Sequence, residues 1–165
     1  MPIIVLHGIE STGKSTLAAW LAEALAAPLV PEYGRDYCLE HGTDCSEADL
    51  HAIAATQQAQ IAAAACSGRM VIADTDWLMT RAWHRMMLGR DWAGPTYPMA
   101  DLYLHLAADR PWIDDGLRVH ADAAQRARFD ELCRAELIQA NARRVEIAGQ
   151  WEARQAAALS AIAAI

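Results

Sequence analysis

Residues 7–16 read HGIESTGKST. Two glycines, Gly8 and Gly13, frame four residues, and a lysine and a hydroxyl, Lys14 and Ser15, follow at once. This is the G-x-x-x-x-G-K-S/T pattern of a phosphate-binding loop (P-loop). Its context agrees, because an apolar β-branched run precedes it and a helical leucine pattern follows. The glycines let the backbone curl so that successive N–H groups point at phosphate oxygens. The helix N-terminus adds its partial positive charge there. Lys14 is expected to reach the β- and γ-phosphates of ATP, and the Ser15 hydroxyl to ligate Mg²⁺. The chain has one lysine against 13 arginines. A P-loop needs a slim, flexible ammonium, which a planar guanidinium cannot replace.

Working outward, short apolar runs alternate with helical patterns. Strands are expected at residues 2–6, 29–31, 70–73, 102–106 and 145–147. Helices are expected at 14–26, with Leu17, Leu21 and Leu25 in step, at about 46–66, at 77–89, at about 123–140 and at 150–165. Ser46 and Asp49 are spaced as a capping box for the second of these. Residues 107–120 read as a long polar loop. Such alternation implies an α/β fold, a doubly wound parallel sheet with helices on both faces, in a single domain over residues 1–165.

Composition narrows the function. A net charge of -7 argues against a nucleic-acid or anionic-membrane partner. No apolar run approaches the ~18 residues of a membrane span, and no leader pattern opens the chain. Cys38, Cys45, Cys66 and Cys133 form no C-x-x-C pair and read as reduced thiols of a cytoplasmic protein. The six histidines show no ligand spacing, and His7 reads as a strand-end packing residue. A lone lysine leaves none for the N/T-K-x-D motif that reads guanine, so ATP is the expected nucleotide. The chain is also short for a ring-forming ATPase with a helical lid domain. What remains is a small kinase with a small-molecule acceptor.

Three stretches fit that class. MVIADTD places Asp74 at the C-terminal edge of a buried strand, where an aspartate serves Mg²⁺; Asp76 reads equally as a helix cap or an acceptor contact. PEYGRD lies beyond the second strand, where doubly wound sheets bind ligands. There Glu32 is a candidate base for an acceptor hydroxyl, and Arg35 a partner for phosphate or carboxylate. ADRPWIDDGLR, residues 108–118, reads as a closing lid, with Arg118 for the transferring phosphoryl group and Arg110 against adenine. The residues leave the base open among Glu32, Asp74 and Asp76.

With these stretches in order, the sequence resembles the ribosylnicotinamide kinase domain of NadR-type proteins, within the nucleoside-monophosphate-kinase-like P-loop proteins. GIESTGKSTLA, PEYGRDY, ADTDWLMTRAW and WIDDGLR carry the resemblance. It implies a five-stranded sheet of order 2-3-1-4-5 and ATP-dependent phosphorylation of nicotinamide riboside at its 5′-hydroxyl. It implies that Gly8, Ile9, Glu10, Ser11, Thr12, Gly13, Lys14, Ser15 and Thr16 bind the ATP phosphates, that Asp74 serves Mg²⁺ and that Arg118 belongs to the lid. Glu32, Tyr33, Arg35, Asp76 and Trp77 would surround the acceptor. A pyridinium ring attracts aromatic faces, so one or two of Tyr33, Tyr37, Trp77, Trp83 and Trp92 are expected in the site, Trp77 first. The chain lacks room for the nucleotidyltransferase and DNA-binding parts of the full NadR arrangement, so neither activity is expected of it. Kinases of another nucleoside or vitamin alcohol, and an ATP-binding regulatory module, are the competing readings.

Overall fold

The computed structural model describes residues 1–109 and 122–165. Five parallel strands, β1 (Ile3–His7), β2 (Leu29–Val30), β3 (Val71–Asp74), β4 (Leu102–Leu106) and β5 (Arg144–Ile147), form one sheet in the order β2-β3-β1-β4-β5. This is the expected fold class and strand order. The central strands are buried on both faces, so they read as continuous apolar runs.

Strand alternation sorts the core into two layers. Ile4, Leu6, Ile72, Leu102, Leu104 and Leu106 face α1 (Lys14–Ala24) and α6 (Trp151–Ala163). Val5, Val71, Ala73 and Tyr103 face α3 (Glu47–Ala65), α4 (Trp77–Leu88) and α5 (Ala123–Gln139). The α3 capping box forms: Ser46 Oγ accepts from the Asp49 amide, and an Asp49 carboxylate oxygen accepts from the Ser46 amide at 2.8 Å.

One helix lies where the sequence suggested only a strand edge. Tyr33–His41 forms α2, with Glu32 at its N-cap and Gly42 ending it. Gly34 disguises it, since glycine is a poor helix former. Here that glycine sits over α3, where a Cβ would stand 3.4 Å from Ile53.

Candidate active site

The P-loop closes β1 onto α1. Gly8 has φ +126°, and a Cβ there would stand 2.7 Å from the carbonyl oxygen of Leu106, so only glycine passes. Gly13, left-handed at φ +89°, is the N-cap of α1 and turns the chain into the helix. The loop holds its own shape: Thr12 Oγ1 donates to the Ile9 carbonyl at 2.8 Å, and Lys14 Nζ donates to the same oxygen at 2.9 Å. Lys14 is buried, whereas Ser15 and Thr16 stand exposed in the first turn of α1.

Behind the loop lies a residue that motif reading passed over. Arg154 of α6 is buried and donates to the carbonyls of Thr12 (2.6 Å), Gly149 (2.9 Å) and Ala107 (3.2 Å), and pairs with Asp109. One guanidinium thus ties the P-loop to the ends of β4 and β5. Its signal was composition: Arg154 is the sole charge in residues 153–165. His7, at the end of β1, is fully buried with Nδ1 3.3 Å from His105 Nδ1, in agreement with a packing role. Burial, then His105 and Lys14, pushes its pKa well down.

Asp74 ends β3 opposite Leu6 of β1, which sets it one strand from the P-loop. It follows Ile72 by two residues and therefore points to the α1 face of the sheet. Its Oδ1 is buried without a hydrogen-bond partner. An orphaned carboxylate oxygen beside a phosphate-binding loop fits a Mg²⁺-bound water, with Ser15 as the second protein group. Thr75 follows at φ +77°, unusual for a β-branched residue.

That turn sends the next carboxylate elsewhere. Asp76 is buried and caps α4, accepting from the Leu78 amide at 3.0 Å and from the Tyr103 hydroxyl at 2.6 Å. Burial lifts its pKa to about 6 against these hydrogen bonds. It faces a separate groove beside Tyr97 and Met99 on the α3 side of the sheet.

A cavity of about 290 Å³ opens between the P-loop and helices α2, α3 and α4. That is the low end of the range for small-molecule sites. Lys14 and Glu10 line it from the loop, Glu32 and Arg35 from the α2 side, and Gln57 from α3. Gln57, a second residue missed in sequence, is buried; it accepts from the Tyr33 amide at 2.8 Å and donates to the Pro31 carbonyl at 3.2 Å, pinning the chain around Glu32. Glu32 has its pKa raised to about 7, chiefly by burial; Lys14 and Arg35 oppose the shift, and Asp74 and Glu10 add to it. Charges from the loop, β3 and α2 therefore meet at one carboxyl.

The apolar wall is α4: Met79, Trp83, Met86 and Met87 share a helical face. Among the described residues Trp83 is the tryptophan that lines this cavity, braced by Phe129 with ring centroids 4.2 Å apart. Trp77, the first choice among the aromatics, does not line this cavity. It lies on another face of α4, buried against Val5, Tyr97 and the sheet, with the Arg81 guanidinium 5.3 Å from its ring centre. Asp76 likewise faces away from this cavity, and Tyr33 packs with Tyr37, Leu50 and Ile53 and is absent from the cavity lining. Arg110 and Arg118 lie outside the described residues.

A protein-family profile described as "AAA domain" matches residues 3–154. The chain belongs to this family. Two trifunctional NAD biosynthesis/regulator proteins NadR, from Salmonella typhimurium and Escherichia coli, are each 30% identical over 153 residues, covering 84% of the chain. The chain spans 36% of their length. Among solved structures, a NadR protein in complex with NR superposes with a TM-score of 0.76 at 22% identity, over 98% of this family member and 50% of that chain. A thymidylate kinase from Ehrlichia chaffeensis gives 0.69 at 17% identity, over 99% and 97% of the two chains. These likenesses establish the fold as that of P-loop kinases. No helix among the described residues is long and apolar enough to cross a membrane.

Proposed function

We propose that the chain is an ATP-dependent nicotinamide riboside kinase, transferring the γ-phosphoryl group to the 5′-hydroxyl to give nicotinamide mononucleotide. The observation that carries the reading is a single cavity lined by the P-loop lysine and by a carboxyl poised near neutral pH, Glu32. A base works best with a pKa near the operating pH. The 30% identity to NadR proteins, and the complex of one such protein with NR, which we read as nicotinamide riboside, supports that acceptor.

In this reading the P-loop amides and Lys14 hold the phosphates in line with the acceptor. Glu32 accepts the proton of the 5′-hydroxyl as its oxygen attacks phosphorus. Gln57 keeps the chain around Glu32 in place through the Pro31 carbonyl and the Tyr33 amide. Trp83 offers an aromatic face to the cationic ring, worth roughly 0.5–2 kcal/mol. Arg35 balances charge at the cavity mouth. Ser15 and Asp74 would hold Mg²⁺, which when bound neutralises charge on the β- and γ-oxygens. A cytoplasmic location belongs to the same proposal, supported by four free cysteines.

A second acceptor class has its own support. The likeness to thymidylate kinase and to deoxyadenosine kinase spans nearly the whole of those chains, which favours a nucleoside or nucleotide acceptor. ATP consumption over a panel of nicotinamide riboside, deoxynucleosides and deoxynucleotides separates the two. Preference for nicotinamide riboside is expected. A deoxynucleoside preference hands the site to the second reading, and no stimulation by any acceptor removes both.

A further inference from the structure

Away from the P-loop, on the far side of the cavity wall, two helices bring three donor groups together. Glu47 opens α3 and His51 follows one turn later on the same face. His84 comes from the last turns of α4. One ligand atom from each lies within 4.8 Å of the others. The histidines show no ligand spacing in sequence because 33 residues separate His51 from His84.

The cluster is built as metal sites are built. His84 is fully buried, with Nδ1 3.2 Å from the Arg90 carbonyl and Nε2 3.2 Å from a Glu47 carboxylate oxygen. A carbonyl only accepts, so Nδ1 carries the N–H, and the Nε2 lone pair faces the carboxylate. Two lone pairs at that distance need a cation between them. A proton serves two of the three groups; a metal ion serves all three, and His51 Nε2 is buried with no partner. The Nδ1–H to backbone carbonyl contact is the usual outer-shell bond that orients a metal-bound imidazole. Two ligands about 2.05 Å from a tetrahedral zinc stand about 3.3 Å apart. The Glu47–His84 pair already has that separation, and His51 needs to close by at most about 1.5 Å.

The surroundings fit as well. The Trp92 ring meets His51 edge-on at 4.6 Å and His84 at 5.4 Å. Arg90 donates to the other Glu47 oxygen at 2.6 Å, leaving one oxygen for the ion. Two imidazoles and one carboxylate suit a borderline divalent ion such as zinc, with a fourth position for water, and not the hard, oxygen-seeking Mg²⁺.

We propose that Glu47, His51 and His84 bind a zinc-class divalent cation that ties α3 to α4 and so braces two walls of the cavity. The ion is structural, and its site is separate from the residues given to phosphoryl transfer.

The test uses the full chain without an affinity tag, stripped with chelator and titrated with zinc chloride by calorimetry and with cobalt chloride by visible absorption. Expected are one equivalent of zinc, the absorption bands of four-coordinate cobalt, and a metal-dependent rise in melting temperature. His51→Ala is chosen over a His84 variant because His51 is only part-buried and its loss spares the fold. It should weaken zinc binding by at least about 10-fold and abolish the cobalt bands, while the metal-free melting temperature stays put. Absence of binding overturns the proposal, as does binding that survives His51→Ala. So does binding that disappears in Cys45→Ser, which would assign the ion to the Cys38–Cys45 thiols, 4.0 Å apart. None of these outcomes depends on which acceptor the kinase uses.

Discussion

The two ends of the cavity are made in different ways. The phosphate end is nine consecutive residues whose working groups are mostly backbone amides, shaped by Gly8 and Gly13. The end proposed for the acceptor is side chains from α2, α3 and α4, from Glu32 to Met87, held in register by packing. A backbone-built site tolerates little change in its few fixed positions. A side-chain-built site can exchange its members one at a time, so specificity is expected to vary there and chemistry is not.

That contrast can be broken most sharply at Lys14. Lys14→Arg keeps the charge and changes only its shape; turnover should fall by about 10³-fold or more, as for loss of a preorganised charge at a transition state. Near-normal steady-state rates would sink the claim that the loop demands a slim ammonium.

Next in size is Glu32. Glu32→Gln should lower kcat by roughly 10²-fold, the low end for a removed general base. The wild-type kcat/KM should climb as pH rises through about 7, because the base works deprotonated and its pKa is lifted there. The variant should lose that climb. A profile unchanged by the substitution moves the base elsewhere.

The acceptor wall should respond in KM and not in kcat. Trp83→Ala is expected to raise the acceptor KM by about 10-fold, the upper part of a cation–π contact with its lost area, and to leave the KM for ATP alone. Trp77→Phe should spare both constants and cost stability, read as a lower melting temperature. If the two tryptophans swap these phenotypes, the α4 faces have been assigned the wrong way round.

The smallest effect is expected at Asp76. Asp76→Asn retains a cap for α4, so acceptor KM should shift less than about twofold, whereas Asp76→Ala should cost about 1 kcal/mol of stability in denaturant titration. A large KM change in the asparagine variant would return Asp76 to the acceptor site.

The residues show why some of this was readable in advance. The P-loop, the capping box at Ser46 and the alternation of strands and helices are local or strictly periodic, so chain order alone carries them. Helix α2 was hidden because Gly34 argues against helix locally while its fit over Ile53 argues for it at long range. Asp74 and Asp76 look alike in ADTD. The strand pleat and the left-handed turn at Thr75 divide them, one toward the P-loop and one into a cap. Arg154 sits 142 residues from the Thr12 carbonyl that it binds.

Sequence alone therefore determined the class of fold, the P-loop turn and the aspartate at the end of β3, because each depends on neighbours within a few residues or on a simple period. Tertiary structure decided which face of α4 lines the cavity, how Glu32 gains its raised pKa, what clamps the P-loop from behind and where three scattered donors converge. Those are properties of distance and burial between segments far apart in the chain, and distance between segments is set only when the helices dock on the sheet.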